Sequence, residues 1–74
     1  MYVVYTKPNC VWCDRAKALL DDWSLPYSVL KIGEDVTKDW LLAEYPGIKT
    51  APVVVHNGDL IGGYEQLKSF LRVK

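Results

Sequence analysis

An apolar run, Tyr2–Thr6, is followed after a short break by Cys10-Val11-Trp12-Cys13, and the cysteines open a stretch of helical periodicity. No other feature constrains the chain as much, because it sets a strand, a turn, a paired thiol and a helix in succession. The run is β-branched and aromatic with nearly continuous apolar character, as expected of a central strand buried on both faces. Lys7-Pro8-Asn9 breaks it: Pro8 has no N–H to give to a ladder, and Asn9 is a turn or cap residue.

The chemistry of the pair follows from where it stands. A thiolate, not a thiol, attacks a disulfide or binds a metal, and a free cysteine titrates near roughly 8.5. Cys10 lies where strand gives way to helix, so its sulfur is expected to meet the unpaired N–H groups and the positive end of the helix dipole. Lys7 adds a positive charge, whereas Asp14 favours the dipole and opposes a thiolate close by. Cys13, one turn further, lies on the same side as Cys10. This spacing makes Cys10 the nucleophile and Cys13 the resolving thiol that attacks a mixed disulfide on Cys10. Half of a zinc site is a competing use of the pair, but zinc takes about four ligands. The chain has no second pair and a single histidine, His56, so no metal is expected. Two buried, inert cysteines are another reading, and the strand–CxxC–helix context favours redox chemistry over it. Trp12 is either a rim residue shaping access or ordinary hydrophobic cover, and His56 reads as a surface histidine.

Seventy-four residues make one expected domain, 1–74. So short a chain buries only about 60% of its unfolded surface. A Cys10–Cys13 bond closes too small a loop to add much. Stability therefore rests on packing, with Trp12, Trp23 and Trp40 supplying large side chains. Nine basic and nine acidic residues cancel without a basic run, which argues against nucleic-acid or anionic-membrane partners. No apolar stretch approaches the roughly 18 residues of a membrane span. The opening residues read as a strand and not as a signal peptide. A lone cysteine pair in such a chain points to the reducing cytosol and to a transient, catalytic disulfide. A monomer is expected.

The remaining elements follow in order. Residues 11–23 form a helix with Ala16, Leu19, Leu20 and Trp23 on its apolar face. Ser24-Leu25-Pro26 ends it, and residues 27–32 form a second strand, parallel to the first through a βαβ crossover. Gly33-Glu34-Asp35 is a turn with Asp35 as N-cap. Residues 36–45 form a short helix with Val36, Trp40, Leu41 and Ala43 inward, stopped by Pro46-Gly47. A loop, Ile48 through Pro52, leads into the strand Val53-Val54-Val55. Asn57-Gly58 is a hairpin signal, and residues 59–61 return as an edge strand. Gly62-Gly63 interrupts it before a last helix, Tyr64–Arg72, with Tyr64, Leu67, Phe70 and Leu71 on one face. The order β-α-β-α-β-β-α predicts an α/β fold: a four-stranded mixed sheet with helices on both faces.

With CxxC at the first strand–helix junction this looks like the thioredoxin fold, and the chain resembles glutaredoxins, among them the small phage-type members. Three motifs carry the resemblance over nearly the whole chain: Cys10-Val11-Trp12-Cys13 after Thr6-Lys7-Pro8, then Lys49-Thr50-Ala51-Pro52, then Ile61-Gly62-Gly63-Tyr64-Glu65. The resemblance implies a cis-proline at Pro52, beside the dithiol, with the backbone of Ala51 free to pair with an extended substrate. It implies glutathione as reducing cosubstrate, held by Thr50, Ala51, Pro52 and the segment after the glycine pair. There the N–H groups of Tyr64 and Glu65 would take the γ-glutamyl carboxylate, and Gly62-Gly63 would allow close backbone approach. Glu65 would accept from the α-amino group. Lys7 would meet the glycine carboxylate, and Lys49 is the weaker candidate for the same role. Val11-Trp12 stands where many dithiol glutaredoxins have Pro-Tyr, and Tyr64-Glu65 where a small residue and Asp are commoner.

The implied function is a cytoplasmic, glutathione-dependent dithiol oxidoreductase in electron transport. It would reduce protein disulfides, such as that of ribonucleotide reductase, and glutathione mixed disulfides. A redoxin reduced by thioredoxin reductase is the nearest rival. A non-catalytic iron–sulfur carrier or a structural module on the same scaffold is the rival from another class.

Overall fold

The computed structural model describes residues 1–48 and 51–72. Its elements run β1 (Tyr2–Thr6), α1 (Val11–Asp22), β2 (Tyr27–Lys31), α2 (Lys38–Glu44), β3 (Val53–His56), β4 (Asp59–Gly62) and α3 (Tyr64–Arg72). They form a four-stranded mixed sheet in the order β2-β1-β3-β4. β1 pairs in parallel with β2, Tyr2 facing Tyr27, and antiparallel with β3, Tyr2 facing His56. β1 is thus the inner strand from which α1 departs, as its apolar run requires. Asn57 and Gly58 both have positive φ, 52° and 86°, the conformation a tight two-residue hairpin demands. β4 returns along β3 through an irregularity between Val54 and Val55.

Two clusters pack on the two sides of the sheet. Val4 and Val54 join Ala16 and Leu20 of α1 and Leu67 and Leu71 of α3 on one side. Tyr5, Val53 and Val55 join Leu41 of α2 on the other. The apolar stripes expected on α1 and α3 supply the first cluster, except at the end of α1. That helix stops at Asp22, Trp23 becomes its C-cap, and Ser24 turns the chain at φ 55°. Trp23 is therefore 46% exposed and does not extend the stripe.

The second helix departs further from expectation. It begins at Lys38 and not at residue 36, because Thr37 is the N-cap: its Oγ1 accepts the Trp40 N–H at 3.0 Å. Asp35 is drawn elsewhere, its Oδ2 accepting the Lys31 N–H at 2.8 Å in the preceding turn. Val36 instead bridges to Ile32. Over seven residues, only Leu41 of α2 is buried. Trp40 and Ala43 face solvent, Trp40 lying over Tyr5 while remaining 44% exposed. At the far end of β3 from Pro52, His56 is at the surface but half-buried: its ring stacks on Tyr2 at 4.3 Å and lies 5.6 Å from Phe70.

Candidate active site

Asn9, at φ 55°, turns the chain after Pro8 and lets Cys10 enter α1 as its N-cap, extended at φ −110°, ψ 102°. The Cys10 carbonyl accepts the first helical N–H, from Asp14, at 3.2 Å. Its Sγ accepts the N–H of Cys13 at 3.1 Å. A sulfur thus occupies the place usually taken by a serine or aspartate oxygen, and it meets the helix donors that favour an anion. Cys10 and Cys13 are joined as a disulfide, their Cα atoms 5.2 Å apart. Cys10 is half-buried, while Cys13 is 1% exposed beneath it.

Three segments form a groove at the tip of α1. The Ala51–Pro52 peptide bond is cis and Pro52 is buried. Ala51 and Pro52, with Trp12, Gly63, Tyr64, Glu65 and Gln66, enclose about 240 Å3. Trp12 forms a wall: its ring centroid lies 5.5 Å from that of Tyr64, and the Arg15 guanidinium sits 4.8 Å from its centroid. At 50% exposure Trp12 is a rim residue, which decides between the alternatives its position left open.

The start of α3 contains a residue that sequence reasoning missed. The Gln66 Oε1 accepts the Gly63 N–H at 3.0 Å, and the Gly63 carbonyl accepts the Leu67 N–H at 3.0 Å. This is the reach-back of a capping box, with Gly63 as cap and Gln66 three residues on. The signal was present as Gly63-x-x-Gln66. Gly63 therefore has its N–H engaged. Helix geometry leaves the N–H groups of Tyr64 and Glu65, in the first turn, without intrahelical acceptors beside the groove. Gly62 sits at φ 129°, where a Cβ would lie 2.8 Å from Gln66 Cγ.

Lys7 does not line this groove. It borders a second cavity with Cys13, and a hollow of about 170 Å3 that also includes Ala51 and Lys38. Lys49 and Thr50 lie outside the described residues. Among the described residues no group of three or more His, Cys, Asp and Glu side chains is placed to hold a metal. Among the described residues no helix is long and apolar enough to cross a membrane.

The chain is 36% identical over 67 residues to hybrid peroxiredoxin hyPrx5 of Haemophilus influenzae; the match takes in 90% of this chain but only 27% of that longer protein. It is 33% identical over 64 residues to glutaredoxin 3 of Escherichia coli, across 86% of this chain and 77% of the relative. A buckwheat glutaredoxin solved as its glutathione complex superimposes with a TM-score of 0.80 at 27% identity, covering 97% of this chain and 68% of that one. The thioredoxin-like architecture expected from the element order is thus that of a solved glutaredoxin. The glutaredoxin family model matches from residue 2 to residue 61, across both the paired cysteines and the Pro52 turn. A match of that extent, on a chain that carries a sulfur at the cap of its first helix, places it in the glutaredoxin family of thiol–disulfide oxidoreductases.

Proposed function

We propose that this protein reduces disulfides with glutathione as electron donor, using Cys10 as nucleophile and Cys13 as resolving thiol. The observation that carries the reading is the Cys13 N–H held on Cys10 Sγ at the start of α1. A donor in that place stabilises the thiolate that must attack.

The Cys10 thiolate attacks one sulfur of a substrate disulfide, and the substrate S–S bond breaks with its electron pair on the departing sulfur. Cys13, deprotonated, then attacks Cys10 Sγ, releases the second substrate sulfur as a thiolate and closes the Cys10–Cys13 bond. One glutathione thiolate reopens that bond by attack at Cys10, returning Cys13 as a thiol. A second glutathione attacks the mixed disulfide, so that glutathione disulfide leaves and Cys10 is restored. Each half-cycle moves two electrons.

The groove supports glutathione as the donor. The Tyr64 and Glu65 N–H groups suit a γ-glutamyl carboxylate, and the Glu65 carboxylate suits the adjacent ammonium. Ala51 offers its backbone to an extended cysteinyl segment beside Pro52. Thr50 stands two residues before Pro52 in the sequence, Gly63 gives close access, and Lys7 serves the glycine carboxylate from the Ala51 side. The glutathione complex of the buckwheat protein supports the same assignment. Protein disulfides, that of ribonucleotide reductase among them, are the proposed clients, met by a monomer in the cytoplasm.

Turnover in one disulfide-reduction assay coupled to glutathione and glutathione reductase, then to thioredoxin reductase, tests the donor. Activity is expected only in the first, and Cys10→Ser should fall to background. Cys13→Ser should keep turnover of glutathione mixed disulfides, which needs only Cys10 and a second glutathione, while losing protein disulfides. Parental activity in Cys10→Ser would refute the assignment.

A further inference from the structure

Cys13 must lose a proton before it can resolve a mixed disulfide, yet it is 1% exposed and does not line the groove at Trp12 and Pro52. It lines a separate cavity of about 240 Å3 that shares no residue with that groove. The charged walls of this cavity are Lys7 from the turn after β1, Asp14 and Lys17 from α1, Lys31 at the end of β2, and Glu34 from the following turn. Lys17 Nζ lies 3.4 Å from Asp14 Oδ1, and Lys31 Nζ lies 4.0 Å from Glu34 Oε2. Three ammonium groups against two carboxylates leave a net charge of +1 around the hollow that Cys13 borders. β1 adds only the uncharged Thr6, and α3, the other element packed on α1, adds no side chain to the wall. Lys17 stands four residues after Cys13, on the same helix face, with its side chain only 32% exposed.

We propose that this charged cavity is the proton exit of the resolving thiol and that Lys17 is a positioning residue whose charge holds Cys13 ready as a thiolate. The inference rests on the assignment of Cys10 as nucleophile and Cys13 as resolver. The Cys13 S–H bond breaks and its proton passes to solvent entering the cavity, for which the Asp14 and Glu34 carboxylates are the nearby bases. The thiolate then forms the Cys10–Cys13 bond as the bond from Cys10 to the substrate sulfur breaks. Cys13 thus borders a cavity of its own, apart from the groove at Trp12 and Pro52.

Stopped-flow mixing of the reduced protein with the aryl disulfide dithiobis(nitrobenzoate) separates the two steps. The first nitrothiophenolate released reports attack by Cys10, and the second reports displacement by Cys13. Lys17→Gln should raise the pH midpoint of the second phase by about one unit and leave the first phase in place. Because thiolate nucleophilicity rises with pKa at a Brønsted slope of about 0.5, the second phase at neutral pH should slow about threefold rather than tenfold. Lys17→Arg should restore the parental profile, and Lys31→Gln, on a different element, should give a smaller shift of the same sign. Second-phase profiles of Lys17→Gln and Lys31→Gln that superimpose on the parent, with a normal first phase, would overturn the inference. A parent with no first phase would bring down the Cys10 assignment itself, and this inference with it.

Discussion

The two faces of the sheet share the same strands but carry different roofs. Under α1 and α3, Val4, Ala16, Leu20, Val54 and Leu67 are all fully buried. Under α2, a seven-residue helix contributes one buried side chain, Leu41, and leaves Trp40 half in water. The closed face is the one whose helix begins at Cys10. A sulfur can be held on a helix N–H only while the axis of that helix is fixed, and Ala16 and Leu20 fix it by locking α1 against β1 and α3. The open face meets the groove only indirectly, through Val53, which is buried in its cluster and follows Pro52. Dense packing is therefore concentrated behind the reacting atoms, and the thinner layer lies away from them.

The largest test of this contrast is Leu20→Ala. Truncating a fully buried leucine costs about 3 kcal/mol, a large share of the roughly 5–10 kcal/mol available to a small domain. Urea unfolding should show that loss, together with slower alkylation of Cys10 as α1 loosens. Trp40→Ala removes a bulkier side chain from the open face and should cost only about 1 kcal/mol, since half of that side chain is already wet. Equal losses in the two variants would end the distinction between the faces.

The smallest effect sharpens the contrast through pH. Burial, then the neighbouring Tyr45, then the Glu44 charge push the Tyr5 hydroxyl above its usual value of 10.0. A proton held more tightly in the folded state stabilises it fully below the unfolded value, and the benefit disappears as pH rises through the folded one. Stability should thus fall above pH 10, and Tyr5→Phe should flatten that part of the curve, measured by urea midpoints between pH 9 and 11. A Tyr5→Phe curve parallel to the parent would remove Tyr5 as a source of alkaline loss on the open face.

What the sequence made legible divides along the same line. The apolar stripe through Ala16 and Leu20, the Leu67 and Leu71 face of α3 and the Asn57-Gly58 turn are local patterns with one physical solution, and each appears where expected. The cap geometry of Cys10 was readable for the same reason, since strand, proline, turn and helix leave its sulfur one place to go. The α2 region carries a capping residue at Asp35 and another two residues on, at Thr37, and only the first was read as the cap. The Lys31 N–H claimed the Asp35 carboxylate, so Thr37 began the helix. Trp23 and Trp40 look like core by composition, but a sheet face covered by one short helix, and a helix that ends one residue early, leave them at the surface. The aromatic stack that half-buries His56 depends on β1 and β3 register, which no local pattern announces. Gln66 was overlooked because its partner is a backbone N–H at a glycine pair, and the pair itself drew the attention.

Gly62 shows how tightly that corner is built. A single added methyl group there would collide with the stem of Gln66, whose carboxamide fastens the first turn of α3 to Gly63. Even alanine at an edge-strand position would therefore be felt at the Gln66 wall of the groove, as a latch forced open. In a mutational scan this glycine should prove less replaceable than many residues of the interior, although no part of it need touch a substrate.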